Sequence, residues 1–294
     1  MATTVHHTVC PACNDASIKL HLEGKDFSIS QEAYSIWKCD ACNFVFTQNI
    51  PSMQDIGAYY QAENYVSHSN TQKGWFFRLY HIARTFMLAS KKKLVNKHLP
   101  TKGKLVDIGC GTGYFLNEMK KDGWDTLGLE PSDAARNLAI EQFQLTIEDK
   151  SHLYQLPAKS ADVVTMWHVL EHVHNLQEDI AQIRKITKGI LVVAVPNHDS
   201  YDGKHYGKHW AGWDVPRHLW HFTPATMQQI MQKQGFELLT TYRMPLDSFY
   251  VSLLSEKYAE NSLGTIRGAW NGGVSWLNSM FNKNNCSSVI YVFK

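Results

Sequence analysis

Four of the six cysteines stand as two matched pairs, Cys10 with Cys13 and Cys39 with Cys42. Two-residue spacing lets both thiolates of a pair reach one tetrahedral ion at about 2.3 Å, so the four together describe a structural zinc site closed to substrate. The knuckles are Cys-Pro-Ala-Cys and Cys-Asp-Ala-Cys, and Ser17–Lys38 between them reads as short strands. That is a zinc ribbon over residues 1–50. Disulfides or a single redox pair are the competing readings. The segment Met1–Val9 has two histidines and no apolar run, so no signal peptide is expected and the reading is cytoplasmic and reducing, which disfavours disulfides. His6 and His7 lie close by, but four cysteines need no further ligand.

A second constellation is Val106-Asp-Ile-Gly-Cys-Gly-Thr-Gly-Tyr114. Gly109, Gly111 and Gly113 permit a tight turn and let a ligand approach bare backbone. Asp107 precedes them and Cys110 lies among them. Glu130 stands 17 residues past Gly113 at the end of the next predicted strand. A carboxylate there accepts protons from both hydroxyls of a ribose, the general logic of nucleoside binding beyond the carboxyl ends of parallel strands. The Gly-x-Gly-x-Gly spacing is one residue tighter than the dinucleotide fingerprint.

Histidines form the third group. His168, Glu171, His172 and His174 follow the predicted fourth strand, and Arg217, His218 and His221 lie in the Trp-rich stretch Trp213–Thr223. Imidazole is the usual general base near neutral pH. His168, His218 and His221 are the candidates.

The elements that must position these groups alternate. Residues 51–73 are polar and Tyr-rich, with Tyr59, Tyr60 and Tyr65, and predict a loop with a short helix. Phe76, Leu79, Ile82, Phe86 and Leu94 mark an amphipathic helix over 75–98, with Lys91–Lys93 as its solvated end. Strands follow at Lys104–Ile108, Trp124–Glu130, Leu145–Ile147, Asp162–Trp167, Ile190–Val195, Phe236–Arg243 and Val289–Phe293. Between them come helices at Thr112–Lys121, from the cap Ser132 to Gln142, from Leu176 to a stop at Gly189, and from the Thr223-Pro224 cap across Ala225–Gln234. Strand–helix alternation implies a doubly wound α/β fold with a mostly parallel sheet. Residues 246–285 read as a helical insertion suited to a lid, a dimer surface or a membrane-surface element. The expected organisation is ribbon 1–50, Tyr-rich segment and long helix 51–98, and core 99–294.

Composition narrows the function. The 294 residues carry 29 Lys+Arg against 27 Asp+Glu, and 19% charged residues is below the usual share of about 25%. Residues 1–50 hold three Lys against five acidic residues, a poor match to a phosphate-gripping surface. No apolar run reaches membrane-spanning length. Aromatics (35) and histidines (15) fill the deficit in charge, which suggests a pocket lined by them. Cys110 and Cys286 lack partners at metal spacing and read as small buried apolar groups.

Over about 190 residues, through the glycine turn, Glu130, "ADVVTMWHVLEHV" (161–173) and "ILVVAVPN" (190–197), the sequence resembles the class I S-adenosylmethionine-dependent methyltransferases. With the ribbon it resembles their zinc-ribbon group acting on sugars and secondary metabolites. The resemblance implies a seven-stranded Rossmann-like sheet. It implies that Asp107, Gly109, Cys110, Gly111 and Gly113 wrap the donor, that Glu130 holds its ribose, and that Trp167 and His168 meet its methionine part. Tyr60 and its neighbours are expected to close over the sulfonium through their ring faces, or else to pack the ribbon on the core. His218 stands at the histidine of the group's acceptor-site segment, which makes it the first candidate base, with Arg217 where that segment has Glu, a change that implies a more anionic acceptor. The implied partner is a small-molecule acceptor, with a homodimer possible. An rRNA base methyltransferase and a non-catalytic methyltransferase fold are the alternatives.

Overall fold

The computed structural model describes residues 3–60, 75–244 and 246–294, with side chains given outside 75–82. Tyr65 lies outside the described residues, as do the side chains of Phe76, Leu79 and Ile82.

The ribbon is built from β1 (Thr4–Val5), β2 (Ile18–Lys25), β3 (Ala33–Cys39), β4 (Val45–Thr47) and β5 (Ile50–Pro51). A 3₁₀ turn at Ile56–Tyr60 leads out of it, and a helix α1 (Trp75–His98) follows. The core then runs β6 (Lys104–Ile108), α2 (Tyr114–Lys121), β7 (Asp125–Leu129), α3 (Asp133–Phe143), β8 (Ile147–Glu148), β9 (Ala161–Trp167), α4 (Leu176–Ile186) and β10 (Thr187–Pro196). It continues with α5 (Tyr201–Tyr206), β11 (Trp220–His221), α6 (Pro224–Lys233), β12 (Leu238–Arg243), α7 (Asp247–Tyr258), α8 (Gly264–Phe281) and β13 (Ser288–Phe293).

The main sheet has seven strands in the order β12-β13-β10-β9-β6-β7-β8. The run from β10 to β8 is parallel, and β13 is antiparallel to both neighbours. Central strands read as unbroken apolar runs because helices cover both faces: Leu191–Val195 is fully buried. Ser132 caps α3 by accepting the Ala135 N–H. Thr223 caps α6 with Pro224 in its first turn.

Several expectations shift. The helix from Leu176 ends at Ile186, and β10 begins at Thr187 with no connecting residue, three positions before the expected strand. Phe86 is exposed, so the apolar stripe proposed for α1 does not pack throughout; Leu94 does.

The larger difference is β11. This two-residue strand in the Trp-rich loop pairs antiparallel with β4, giving a second sheet in the order β11-β4-β3-β2. The ribbon is therefore continued by a strand of the core. Cys10, Cys39, Phe44, Phe46 and Ile50 share one buried cluster with Val106, Met166 and Val193 of the main sheet. The Trp-rich stretch is interior rather than a cleft lining. The Trp210 indole donates to Asp202, that of Trp213 to the Gly207 carbonyl, and that of Trp220 to the Val173 carbonyl. Much of the aromatic surplus is thus packing.

Residues 246–285 form α7 and α8, which pack on each other through Gly268 and Gly272, where a Cβ would strike the α7 backbone. The outer face of α8 leaves Ile266, Trp270, Leu277 and Phe281 exposed. No helix among the described residues is long and apolar enough to cross a membrane.

Candidate active site

Strand β6 delivers Asp107 between Gly128 of β7 and Thr165 of β9. The chain then turns through the glycines, all three at positive φ, and each is needed for a different reason. At Gly109 a Cβ would lie 2.4 Å from the Val169 side chain, so the turn is pressed against the segment after β9. At Gly111 nothing lies within 4 Å, so that side of the turn is open. At Gly113 a Cβ would collide with Ala139 and Leu145, so the start of α2 is packed against α3. Cys110 turns its sulfur inward against Gly128, leaving its backbone as the part within the turn.

Glu130 ties this turn to the next helix. One carboxylate oxygen accepts the Gly111 N–H at 2.9 Å and the other the Ser132 N–H at 3.0 Å. Asp107 is buried and accepts the Thr165 hydroxyl at 2.5 Å. Burial pushes its carboxyl up to about 7, and the Glu130 charge adds to this, against the pull of Thr165 and Lys91. Trp167 ends β9 with its indole N–H buried and without a partner among the described residues. Phe115 meets its ring edge-on at 5.3 Å.

Lys91 was expected in a solvated run, but its ammonium lies 4.4 Å from the centre of the Trp167 ring. Burial lowers it to about 8, and Asp107 and Asp247 oppose that shift. The three lysines lie inside α1, which runs on to His98, rather than at its end, and three consecutive lysines carry no sequence signal that one of them turns inward.

The histidine group assembles beside this turn. His168 adopts φ 59°, and its Nδ1–H donates to Glu171 at 3.2 Å; its Nε2 rests 3.2 Å from the Met244 sulfur. Glu171 is fully buried, and its second oxygen has no partner among the described residues. Burial opposes its ionisation, and the hydrogen bond from His168 with the nearby His172 and His218 outweighs this, holding the carboxyl below its ordinary value. His172 donates through Nδ1 to the Arg217 carbonyl at 2.9 Å and lies 3.0 Å from the Tyr60 hydroxyl. Burial, aided by the His218 charge, lowers it to about 4. His218 donates through Nδ1 to the Gly212 carbonyl at 2.8 Å. The rings of His172 and His218 meet edge-to-face at 4.6 Å. One ligand atom each from Glu171, His172 and His218 lies within 4.8 Å of the others.

Two expectations are corrected. His221 sits in the seam between ribbon and core, its Nε2 at 2.9 Å from Thr47 and its ring against Trp213. Burial lowers it well below the ordinary value, and it does not join the histidine group. Arg217 does not await an anion. It donates to Asp214 at 2.9 and 2.5 Å and to the Tyr59 carbonyl at 3.2 Å, with Asp26 of the ribbon at 3.5 Å. Its charge is already matched, and it holds the ribbon to the core. Tyr60 reaches His172, whereas Tyr59 bonds to Tyr34 and Glu32 within the ribbon.

The four cysteines converge, with all four sulfurs within 4.8 Å of one another. Cys10–Cys42 and Cys13–Cys39 are each 3.6 Å apart and none is cross-linked. A tetrahedron with 2.3 Å arms has edges of about 3.8 Å, so the donor set suits zinc. Asn14 and Asn43, each directly after a knuckle, share φ values of 63° and 62°. Asn tolerates this left-handed conformation, and the repeated Cys-x-Ala-Cys-Asn was readable in the sequence at both knuckles.

Comparison with known proteins identifies the fold and the family. The methyltransferase-domain family matches residues 79–241. A ubiquinone biosynthesis O-methyltransferase of Rhodopseudomonas palustris (strain HaA2) is 29% identical over 160 residues, covering 47% of this chain and 59% of that protein. The homologue from strain BisB18 is 32% identical over 103 residues, covering 33% and 41%. The chain thus spans about half the length of these curated relatives. A SAM-dependent methyltransferase from Archaeoglobus fulgidus shares the fold at a TM-score of 0.51 and 18% identity, covering 75% of this chain and 100% of that one. Phosphoethanolamine N-methyltransferase 2 of Haemonchus contortus does so at 0.53 and 15%, covering 85% and 62%. A family match over more than half of the residues, on a sheet of this order with the glycine turn at its centre, makes this chain a member of the methyltransferase-domain family, with the class I S-adenosylmethionine-dependent fold and an N-terminal four-cysteine cluster.

Proposed function

We propose that the protein transfers a methyl group from S-adenosylmethionine to an oxygen or carbon of a small-molecule acceptor, and that zinc is held by Cys10, Cys13, Cys39 and Cys42. The observation that carries the donor reading is the turn itself. It is open at Gly111 and bounded by the Asp107 and Glu130 carboxylates and the unpartnered Trp167 N–H. Glu130 then receives the ribose hydroxyls, and Asp107 holds the turn that wraps the methionine part.

The donor supplies an activated carbon. The chain has to align the acceptor with it at about 3–3.5 Å and keep water out. In O-methylation the acceptor oxygen bonds to the methyl carbon, the carbon–sulfur bond breaks with its pair going to sulfur, and the hydroxyl proton needs a base. We assign that base to His168, which Glu171 orients through Nδ1, the base-and-orienter pairing general to such catalysis. Its Nε2 rests against the Met244 thioether at 3.2 Å, a flexible neighbour that an acceptor displaces at little cost. The near-neutral overall charge and the acidic balance of the ribbon favour a small acceptor over RNA. Release of S-adenosylhomocysteine on adding phenolic or sugar hydroxyl acceptors tests this. Release driven by RNA and by none of these would overturn it.

One prediction separates Asp107's two effects. Its folded pKa is raised, so its ionisation costs stability increasingly as pH rises from the unfolded value near 4 towards about 7. Asp107→Asn should therefore raise the melting temperature of the ligand-free protein by a few degrees at pH 8, with the gain shrinking towards pH 5. The same variant should bind S-adenosylmethionine roughly 10-fold more weakly, because the charged acceptor that Asp107 offers to Thr165 at the foot of the turn is lost. Thermal melts at the two pH values and calorimetry check both signs.

A further inference from the structure

Glu171, His172 and His218 share a feature that packing does not explain. Each histidine commits its Nδ1–H to a main-chain carbonyl, that of Arg217 or of Gly212. Each Nε2 is then a lone pair, and neither has a hydrogen-bond partner among the described residues. Glu171 spends one oxygen on His168 and leaves the other buried and unpartnered. The charged group near His218 Nε2, Asp214 at 3.9 Å, is also an acceptor. One ligand atom from each of the three lies within 4.8 Å of the others, and the second Glu171 oxygen is the buried, unpartnered acceptor among them. An unsatisfied buried carboxylate oxygen is costly, and beside two imidazoles whose Nδ1 protons are already spent it calls for a positive centre.

We propose that Glu171, His172 and His218 hold a divalent transition-metal ion, and that its remaining positions take the acceptor's oxygen. Two imidazoles and one carboxylate suit zinc, iron, cobalt or manganese and leave coordination positions open. Carbonyl-bound Nδ1 atoms are the usual outer support of metal-ligating histidines, fixing the tautomer and the ring. Glu171 also touches His168, so the ion and the base lie on the same carboxylate. The chain then carries two sites of opposite character, a closed thiolate cluster and an open nitrogen–oxygen one. The ion's role rests on the methyltransferase reading: it lowers the pKa of a bound hydroxyl, whose proton passes to His168. Its binding does not rest on that reading. Acceptors able to offer an ionisable hydroxyl are the class this site favours.

The test loads the folded, zinc-containing protein with Mn²⁺ and, in parallel, Co²⁺. Free Mn²⁺ is followed by its paramagnetic resonance and Co²⁺ by absorption without a thiolate charge-transfer band. Neither probe is expected to displace zinc from four thiolates under brief exposure. The expected result is one further ion per chain, weakened more than about 10-fold in Glu171→Gln and His218→Gln, since losing a ligand exceeds the 10–100-fold cost of losing an outer partner. Glu171→Gln keeps the side-chain shape and decides the matter if the His218 variant melts early. Binding of neither probe, or a Glu171→Gln protein that binds as the wild type does, would overturn the site. Calorimetry with S-adenosylmethionine on the same samples separates the two readings. Ion binding without donor binding sinks the methyltransferase reading and leaves the ion site standing, and the converse sinks the ion site alone.

Discussion

Glu130→Ala should weaken S-adenosylmethionine binding by roughly 10²-fold while leaving the protein folded. The size follows from how the carboxylate is held. Two backbone N–H groups, from Gly111 and Ser132, fix its two oxygens, and each oxygen keeps a lone pair for a ribose hydroxyl. Two charge-assisted hydrogen bonds at about 1.5–3 kcal/mol each amount to several kcal/mol, with every 1.4 kcal/mol worth a factor of ten. Part is recovered because the freed Gly111 N–H is met by water on the open side of the turn. Glu130→Gln keeps one acceptor oxygen and should fall between the two. Calorimetric titration measures both. An alanine variant that binds as tightly as the wild type would remove Glu130 from the ribose site.

Loss of metal from the cysteine cluster should destabilise far more than the ribbon. Structural zinc contributes about 10–16 kcal/mol to the folding of small zinc modules, as much as the entire net stability of a typical domain. Here Cys10 and Cys39 share a buried cluster with the main sheet, and β11 pairs with β4. Thr47 of β4 donates to the His218 carbonyl at 2.7 Å, and Arg217 reaches Asp26. A melted ribbon therefore releases the loop that carries His218 and the seam around Trp220. Cys39→Ser, or chelation in mild denaturant, should lower the melting temperature by more than 10 °C, given about 2–4 °C per kcal/mol for a chain of this class. Metal analysis should find one zinc lost per chain and Trp fluorescence should shift to the red. A Cys39→Ser protein that melts like the wild type, or disulfides in place of metal, would remove the structural zinc.

Much of this was legible in the sequence because it depends on local rules. The apolar runs of β6 and β9, the caps Ser132 and Thr223 and the cysteine spacing are short-range signals, and each appears where it was expected, while the run Ile190–Val195 lies inside a strand that starts three residues earlier. What escaped depends on long-range geometry. A two-residue strand such as β11 has no alternation to read, so its pairing with the ribbon was invisible, and with it the burial of Trp210, Trp213 and Trp220. His221 and Arg217 looked like site residues because they sit among aromatics in a loop; their partners, Thr47, Asp214 and Asp26, lie partly in a segment more than 150 positions away. Lys91 was read as solvated because its neighbours are lysines, whereas its own direction on α1 is set by tertiary packing. The meeting of Glu171 and His172 with His218 is likewise a product of the fold: the first pair follows β9, and the third comes from the loop that β11 anchors.

The most direct measurement is calorimetric titration of the folded, zinc-loaded protein with S-adenosylmethionine and with S-adenosylhomocysteine. Binding of both at one site per chain, with micromolar affinity for the donor, is the predicted result. A folded, metal-loaded protein that takes up neither would contradict the assignment of the open glycine turn, Asp107 and Glu130 to a methyl donor.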